Sequence, residues 1–206
     1  MDDEEQQEQN QFEALIQGLI DDEYGCCDNF ILPETILGLR ANINKLYETG
    51  DMKSSGIGNN SDFHKDKNIR GDYINWIEEQ STNQFEIIFL KKIDKFIMHL
   101  NNTCYTSINS FESHYASYEK TNFYKRHIDQ FKNEKGRKYS IVLYLNHDWK
   151  QEDGGLLSLY PEGKKQIDIA PLSGRIVFFR SDEMEHEVNA SFTRDRKSIA
   201  GWMKTN

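Results

Sequence analysis

The sequence has little of what builds secreted, membrane or nucleic-acid-binding proteins. It holds only three cysteines, of which Cys26 and Cys27 are adjacent and Cys104 is distant. That pattern gives neither a disulfide framework nor a zinc-ligand spacing, so the thiols read as structural and a reducing cytoplasm is the economical compartment. No apolar run approaches the roughly 20 residues that cross a bilayer, which predicts a soluble chain with no membrane partner. Cations are the scarcer charge, 25 Lys and Arg against 34 Asp and Glu, for a formal net charge of -9. Phosphate recognition needs clustered cations, so nucleic acid is excluded as the main partner. The opening "MDDEEQQEQN" has no apolar residue after Met1, lacks the apolar stretch of a signal peptide, and reads as a disordered acidic tail over residues 1–10.

The 206 residues fit one domain, expected over 11–206, with no internal repeat. Phe12, Leu15, Ile16, Leu19 and Ile20 recur at helical spacing. A second helix is predicted from Pro33, with Ile36, Leu39, Ile43, Leu46 and Tyr47 on one side, to Gly50. A third follows a Ser81-x-x-Gln84 capping box and places Phe85, Ile88, Phe89, Ile93, Phe96, Ile97 and Leu100 inward. Helices therefore occupy the first half, 11–101. Between the second and third, "KSSGIGNNSDFHKDKN" has no periodicity and reads as a long surface loop in which His64 is solvated.

From Phe111 the period changes to two. Candidate strands are Phe111–Tyr118, Phe123–Asp129, Lys138–Asn146, Gly155–Tyr160, Lys164–Ile169, Gly174–Phe179, His186–Ala190 and Arg196–Met203, separated by Gly- and Pro-containing turns. Eight short strands after a helical half predict an α+β fold whose core, 110–206, is a jelly roll.

Such a barrel can hold one small ligand, so the inward-facing polar residues matter. Strand alternation puts His127 and Asp129 on one face; Ser140, Val142, Tyr144 and Asn146 on another shared face; and Arg196, Ser198, Ala200 and Trp202 together, with Lys197 opposite. Two histidines, His127 and His186, plus the carboxylate of Asp129 form the facial set suited to non-haem Fe(II), which leaves open positions for a bidentate cosubstrate and oxygen. Arg196 is then placed to clamp a carboxylate, with Tyr144 adding a hydrogen bond. Taken singly, Arg196 reads rather as a surface ion-pair partner of Asp195 or Glu187, and only the other residues favour the clamp. His99, His114 and His147 read as structural, and Trp76 as core or cleft wall.

The stretches "IRGDYINWI", "HYASYEKTNFYKRHIDQF", "YSIVLYLNHDW", "DGGLLSLYPEGK", "APLSGRIVFFRSD" and "HEVNASFTRDRKSIAGW" occur in order over about two thirds of the chain. Together they resemble the 2-oxoglutarate- and Fe(II)-dependent prolyl hydroxylases, particularly the hypoxia-inducible-factor enzymes and their bacterial relatives. The resemblance implies a double-stranded β-helix with helices packed on one sheet. It implies iron ligands His127, Asp129 and His186, and a 2-oxoglutarate site of Arg196 and Tyr144 with Tyr124, Tyr118, Val142, Ser198 and Trp202 around it. Arg70 and Asp72 would lie on the substrate side, with the preceding loop as a flap over a peptide. The implied reaction hydroxylates a prolyl residue of a protein while 2-oxoglutarate and O2 become succinate and CO2, with ascorbate keeping the iron reduced.

Two departures bear on this. The segment between His186 and Arg196 is one residue longer than in the hypoxia enzymes, and collagen-type relatives use a lysine for the clamp, which makes Lys197 the rival of Arg196. The turn before Tyr124 is one residue shorter. Bacterial relatives modify elongation factor Tu, so the resemblance admits a translation factor as substrate, although no residue names one. Two other readings stay open: a 2-oxoglutarate oxygenase acting on another residue or a small molecule, and a jelly-roll module that holds a metal without turnover.

Overall fold

A computed structural model describes residues 3–56, 69–130 and 136–205. The chain begins with a helix, α1 (Asp3–Asp22), followed by β1 (Tyr24–Cys27), α2 (Pro33–Glu48), β2 (Lys53–Ser54), β3 (Asp72–Ile77) and α3 (Gln84–Thr103). Eight strands follow: β4 (Ser110–Tyr118), β5 (Tyr124–His127), β6 (Arg137–Tyr144), β7 (Leu157–Tyr160), β8 (Ile167–Ile169), β9 (Ile176–Arg180), β10 (Glu185–Val188) and β11 (Arg196–Lys204). They form two antiparallel sheets, one ordered β1-β9-β6-β11-β4-β3-β2 and one ordered β5-β10-β7-β8. This is the expected jelly roll, widened by three strands that the first half contributes.

Strand alternation gives the large sheet two apolar faces. Tyr115, Ile141, Leu143, Phe178 and Ile199 point outward and are covered by Phe12, Leu15, Leu39, Ile43, Phe89, Ile93 and Phe96 of the three helices. Ala116, Val177 and Phe179 point inward and meet Leu157, Leu159 and Val188 of the small sheet. Burying a side chain of that size stabilises by about 1.5–3 kcal/mol, so the helical layer fixes the sheet that carries the site.

Several expectations need correction. Residues 3–10 are helical rather than a disordered tail, because their Glu and Gln residues favour helix and Glu8 pairs with Lys95 at 2.7 Å. The cap of α3 is Asn83, whose Oδ1 accepts from the backbone N–H of Phe85 and Glu86; Ser81 instead donates to the Glu86 carboxylate. Ile88 is exposed, not buried. The strand expected over Phe123–Asp129 ends at His127, so Asp129 lies just past it. His64 and most of the 53–68 loop lie outside the described residues.

Candidate metal centre

The centre is assembled across the β5–β10 pairing, in which His127 stands opposite His186 with ring centroids 4.3 Å apart. Asp129, released from the ladder, turns its carboxylate between them: Oδ1 is 3.5 Å from His127 Nε2 and Oδ2 is 3.6 Å from His186 Nε2. Each imidazole donates its other nitrogen to a carbonyl, His127 Nδ1 to Lys125 at 2.7 Å and His186 Nδ1 to Met184 at 3.1 Å. These bonds put the proton on Nδ1 and leave each Nε2 lone pair facing the carboxylate. Burial pushes the His186 imidazole down to about 4, so it is neutral at physiological pH. Burial works against ionised Asp129, but the flanking imidazoles, once protonated at low pH, and the Ser140 hydroxyl, which donates to Oδ2 at 2.7 Å, outweigh it and hold the carboxyl below its usual range. The three donor atoms lie within 4.8 Å of one another. Two imidazole nitrogens and one carboxylate oxygen suit one divalent ion with open positions.

A pocket runs from these residues along the inner face of the large sheet and is lined by Arg196, Ser198, Val142, Tyr118, Tyr124 and Trp202 among others. Arg196 is 1 % exposed, a large cost for a charge without a counterion. Its Nε donates to the Gly155 carbonyl at 3.0 Å and its Nη1 to Ser198 Oγ at 3.3 Å, while Nη2 has no partner. Tyr144 Oη is likewise buried and unpartnered, and burial pushes that phenol up to about 12, so it keeps its proton. The guanidinium carbon sits 5.3 Å from the Tyr118 ring centroid and 5.0 Å from that of Tyr144. Two donors left open in a buried, cationic end match one carboxylate, so the residues fit a dicarboxylate such as 2-oxoglutarate as well as the metal.

Of the two substrate-side residues, Arg70 lines the pocket, but Asp72 does not. Asp72 is fully buried and accepts from Arg70 at 2.7 and 2.9 Å and from Ser55, so it anchors Arg70 and cannot meet a substrate. Asn146 leaves the inward face, bonding the Pro171 carbonyl and the Lys197 N–H. His114, read as structural, lines the pocket between Trp76 and Trp202, at ring distances of 5.0 and 5.3 Å. It shares strand parity with Ala116 and Tyr118 on β4, which was the available signal.

A family model described as the 2OG-Fe(II) oxygenase superfamily matches residues 113–204. Human Egl nine homolog 1 is 33% identical over 189 residues, which cover 87% of this chain and 43% of that protein. Human "Prolyl hydroxylase EGLN3" is 30% identical, over 87% of this chain and 78% of that protein. The chain spans about half the length of the Egl nine homologs it matches in human, mouse and rat. Among solved structures, a Pseudomonas putida prolyl-4-hydroxylase is 28% identical with a TM-score of 0.85, over 94% of this chain and 99% of that one. A Trichoplax adhaerens prolyl hydroxylase in complex with a hypoxia inducible factor oxygen degradation domain peptide is 26% identical with a TM-score of 0.87, over 98% and 92%.

Proposed function

Because the chain belongs to the 2OG-Fe(II) oxygenase superfamily, among its prolyl hydroxylases, we propose that it hydroxylates a prolyl residue of a protein or peptide substrate. The observation that carries this is one pocket lined both by the His127, Asp129 and His186 cluster and by Arg196, whose buried Nη2 has no partner, with the equally unpartnered Tyr144 Oη on the ring beside that guanidinium. A site that merely stores a metal has no use for that second end.

His127, Asp129 and His186 would hold Fe(II), and Arg196 with Tyr144 would hold the distal carboxylate of 2-oxoglutarate. When bound, this pair supplies the oxidation, O2 and 2-oxoglutarate becoming succinate and CO2 as a substrate C–H is hydroxylated, with ascorbate as the reductant that sustains it. The carbonyls of Lys125 and Met184 keep both imidazoles in the ligating tautomer. Ser140 steadies the Asp129 carboxylate. Leu157, Val188, Val142 and Ala116 line the pocket between the two ends and exclude water from it. Ile128, between two of the metal residues, and Trp76, against the pocket residues His114 and Trp202, are exposed apolar side chains of the kind a peptide covers.

A protein substrate fits that rim, and a translation factor is one candidate for it. No helix among the described residues is long and apolar enough to cross a membrane, and all three cysteines are free, which supports a cytoplasmic setting. The first test is succinate release by the purified protein with Fe(II) and 2-oxoglutarate. The reading expects measurable turnover even without substrate, abolished by Asp129→Ala; no succinate under these conditions would refute it.

A further inference from the structure

His127 is the more exposed of the two histidines, its side chain 16% accessible against 6% for His186. Its orientation is therefore less determined by surrounding protein, and the bond from Nδ1 to the Lys125 carbonyl comes from its own strand. A column of side chains supplies the missing restraint. The His127 imidazole lies on the Tyr124 ring, with centroids 3.6 Å apart and 18° between planes. Arg70 covers the same ring at 4.7 Å, and with one face taken by His127 the guanidinium has the other. Arg70 is in turn fixed by a two-pronged bond to Asp72, whose carboxylate and carbonyl both bind Ser55.

The backbone runs parallel to this column. Arg70 forms an isolated antiparallel bridge with Tyr124, the Lys125 N–H donates to the Ile69 carbonyl at 2.9 Å, and the Gly71 N–H donates to the Phe123 carbonyl at 3.0 Å. Two residues after Arg70 the same segment enters β3 of the other sheet. Residues 69–72 thus tie the strand that carries His127 to the large sheet.

We propose that Arg70 is a positioning residue for the metal centre: through Tyr124 it holds the His127 imidazole in the orientation that aims Nε2 at the ion. This rests on the reading of His127 as a metal ligand. Freed of the column, the ring samples orientations in which Nε2 points elsewhere, and metal affinity falls by the fraction of time it does so. Residues that orient metal ligands from behind typically cost about 10–100-fold in affinity when replaced.

The test is titration with Mn(II) alone, which accepts the same nitrogen and oxygen donors, followed by the loss of its free-ion electron paramagnetic resonance signal. Arg70→Met is expected to weaken binding about tenfold. In a Tyr124→Leu background the same change should cost less than about twofold, because the route is already cut. Arg70→Lys should recover part of the affinity by restoring the cation over the ring. A merely structural role would lower the apoprotein melting temperature alike in both backgrounds and leave the affinity of folded protein intact. Should Arg70→Met fail to fold, Ser55→Ala, which loosens Asp72 alone, is expected to weaken Mn(II) binding about two- to threefold. Unchanged affinity in the Arg70 and Ser55 variants would overturn the proposal, and full additivity with Tyr124→Leu would overturn the route through Tyr124. Wild-type protein that does not bind Mn(II), or binds it equally after His127→Ala, would instead overturn the metal reading beneath it.

Discussion

Arg196 and Lys197 are neighbours on β11 whose side chains end on opposite sides of the large sheet. Arg196 is shut inside the pocket against Tyr118 and Tyr144, whereas the Lys197 ammonium reaches outward to Asn44 on α2. Strand alternation separates them, and the backbone N–H of Lys197, held by Asn146, pins the register at that point. Of the two candidates for a carboxylate clamp, only Arg196 meets the pocket.

The clamp can be tested residue by residue. Arg196→Ala removes a buried charge-assisted donor worth about 2–5 kcal/mol and is expected to raise the KM for 2-oxoglutarate at least about thirtyfold. Tyr144→Phe removes one neutral hydrogen bond, about 0.5–1.5 kcal/mol, for a rise of roughly two- to tenfold. Lys197→Ala should leave the KM within about twofold, since its side chain never faces the site. Equal losses for the Lys197 and Arg196 variants would contradict the assignment.

His114 gives the protein an acid-sensitive core. Burial, with Arg70 also opposing a second positive charge and Asp72 partly offsetting it, pushes this imidazole down to about 3 from its usual 6.5. As pH falls below 6.5 the unfolded chain takes up the proton first, so the neutral folded form loses stability progressively until about pH 3. The loss approaches ~1.4 kcal/mol per pH unit from this one group. Urea unfolding of wild type and His114→Leu at pH 7 and pH 5 should show a shallower pH slope in the variant. Parallel slopes would mean that His114 takes up its proton as readily in the folded protein as in the unfolded chain.

Asn83 caps α3, the helix that lays Phe89, Ile93 and Phe96 on the large sheet. Asn83→Ala leaves two backbone N–H groups without their acceptor and is expected to cost about 1 kcal/mol, lowering the melting temperature by roughly 2–4 °C. Ser81→Ala should cost less, since Ser81 serves the Glu86 side chain and the Asn83 N–H rather than the helix start. The reverse order would restore the Ser81 cap.

The parts legible in the sequence were those that repeat. The stripe Phe12, Leu15, Ile16 and the stripe Phe89, Ile93, Phe96 survive as buried helix faces because a one-sided burial imposes its period on the chain. β1 and β2, of four and two residues, are too short for alternation to register, so the helical half hid them. Asp129 does meet His127, yet through the turn that follows β5 and not through strand alternation. His114 went unrecognised because its neighbours Trp76 and Trp202 come from strands far apart in sequence, and only the β3–β4–β11 register brings them together. The separation of Arg196 from Lys197 needed no more than alternation.

The central claim is tested most directly by mass spectrometry of a cell lysate incubated with the purified protein, Fe(II) and 2-oxoglutarate. The expected result is one added oxygen on a proline of a discrete protein, dependent on 2-oxoglutarate and absent with the His127→Ala variant. An added oxygen confined to another residue type or to a metabolite, or the same proline signal from the His127→Ala variant, would contradict it.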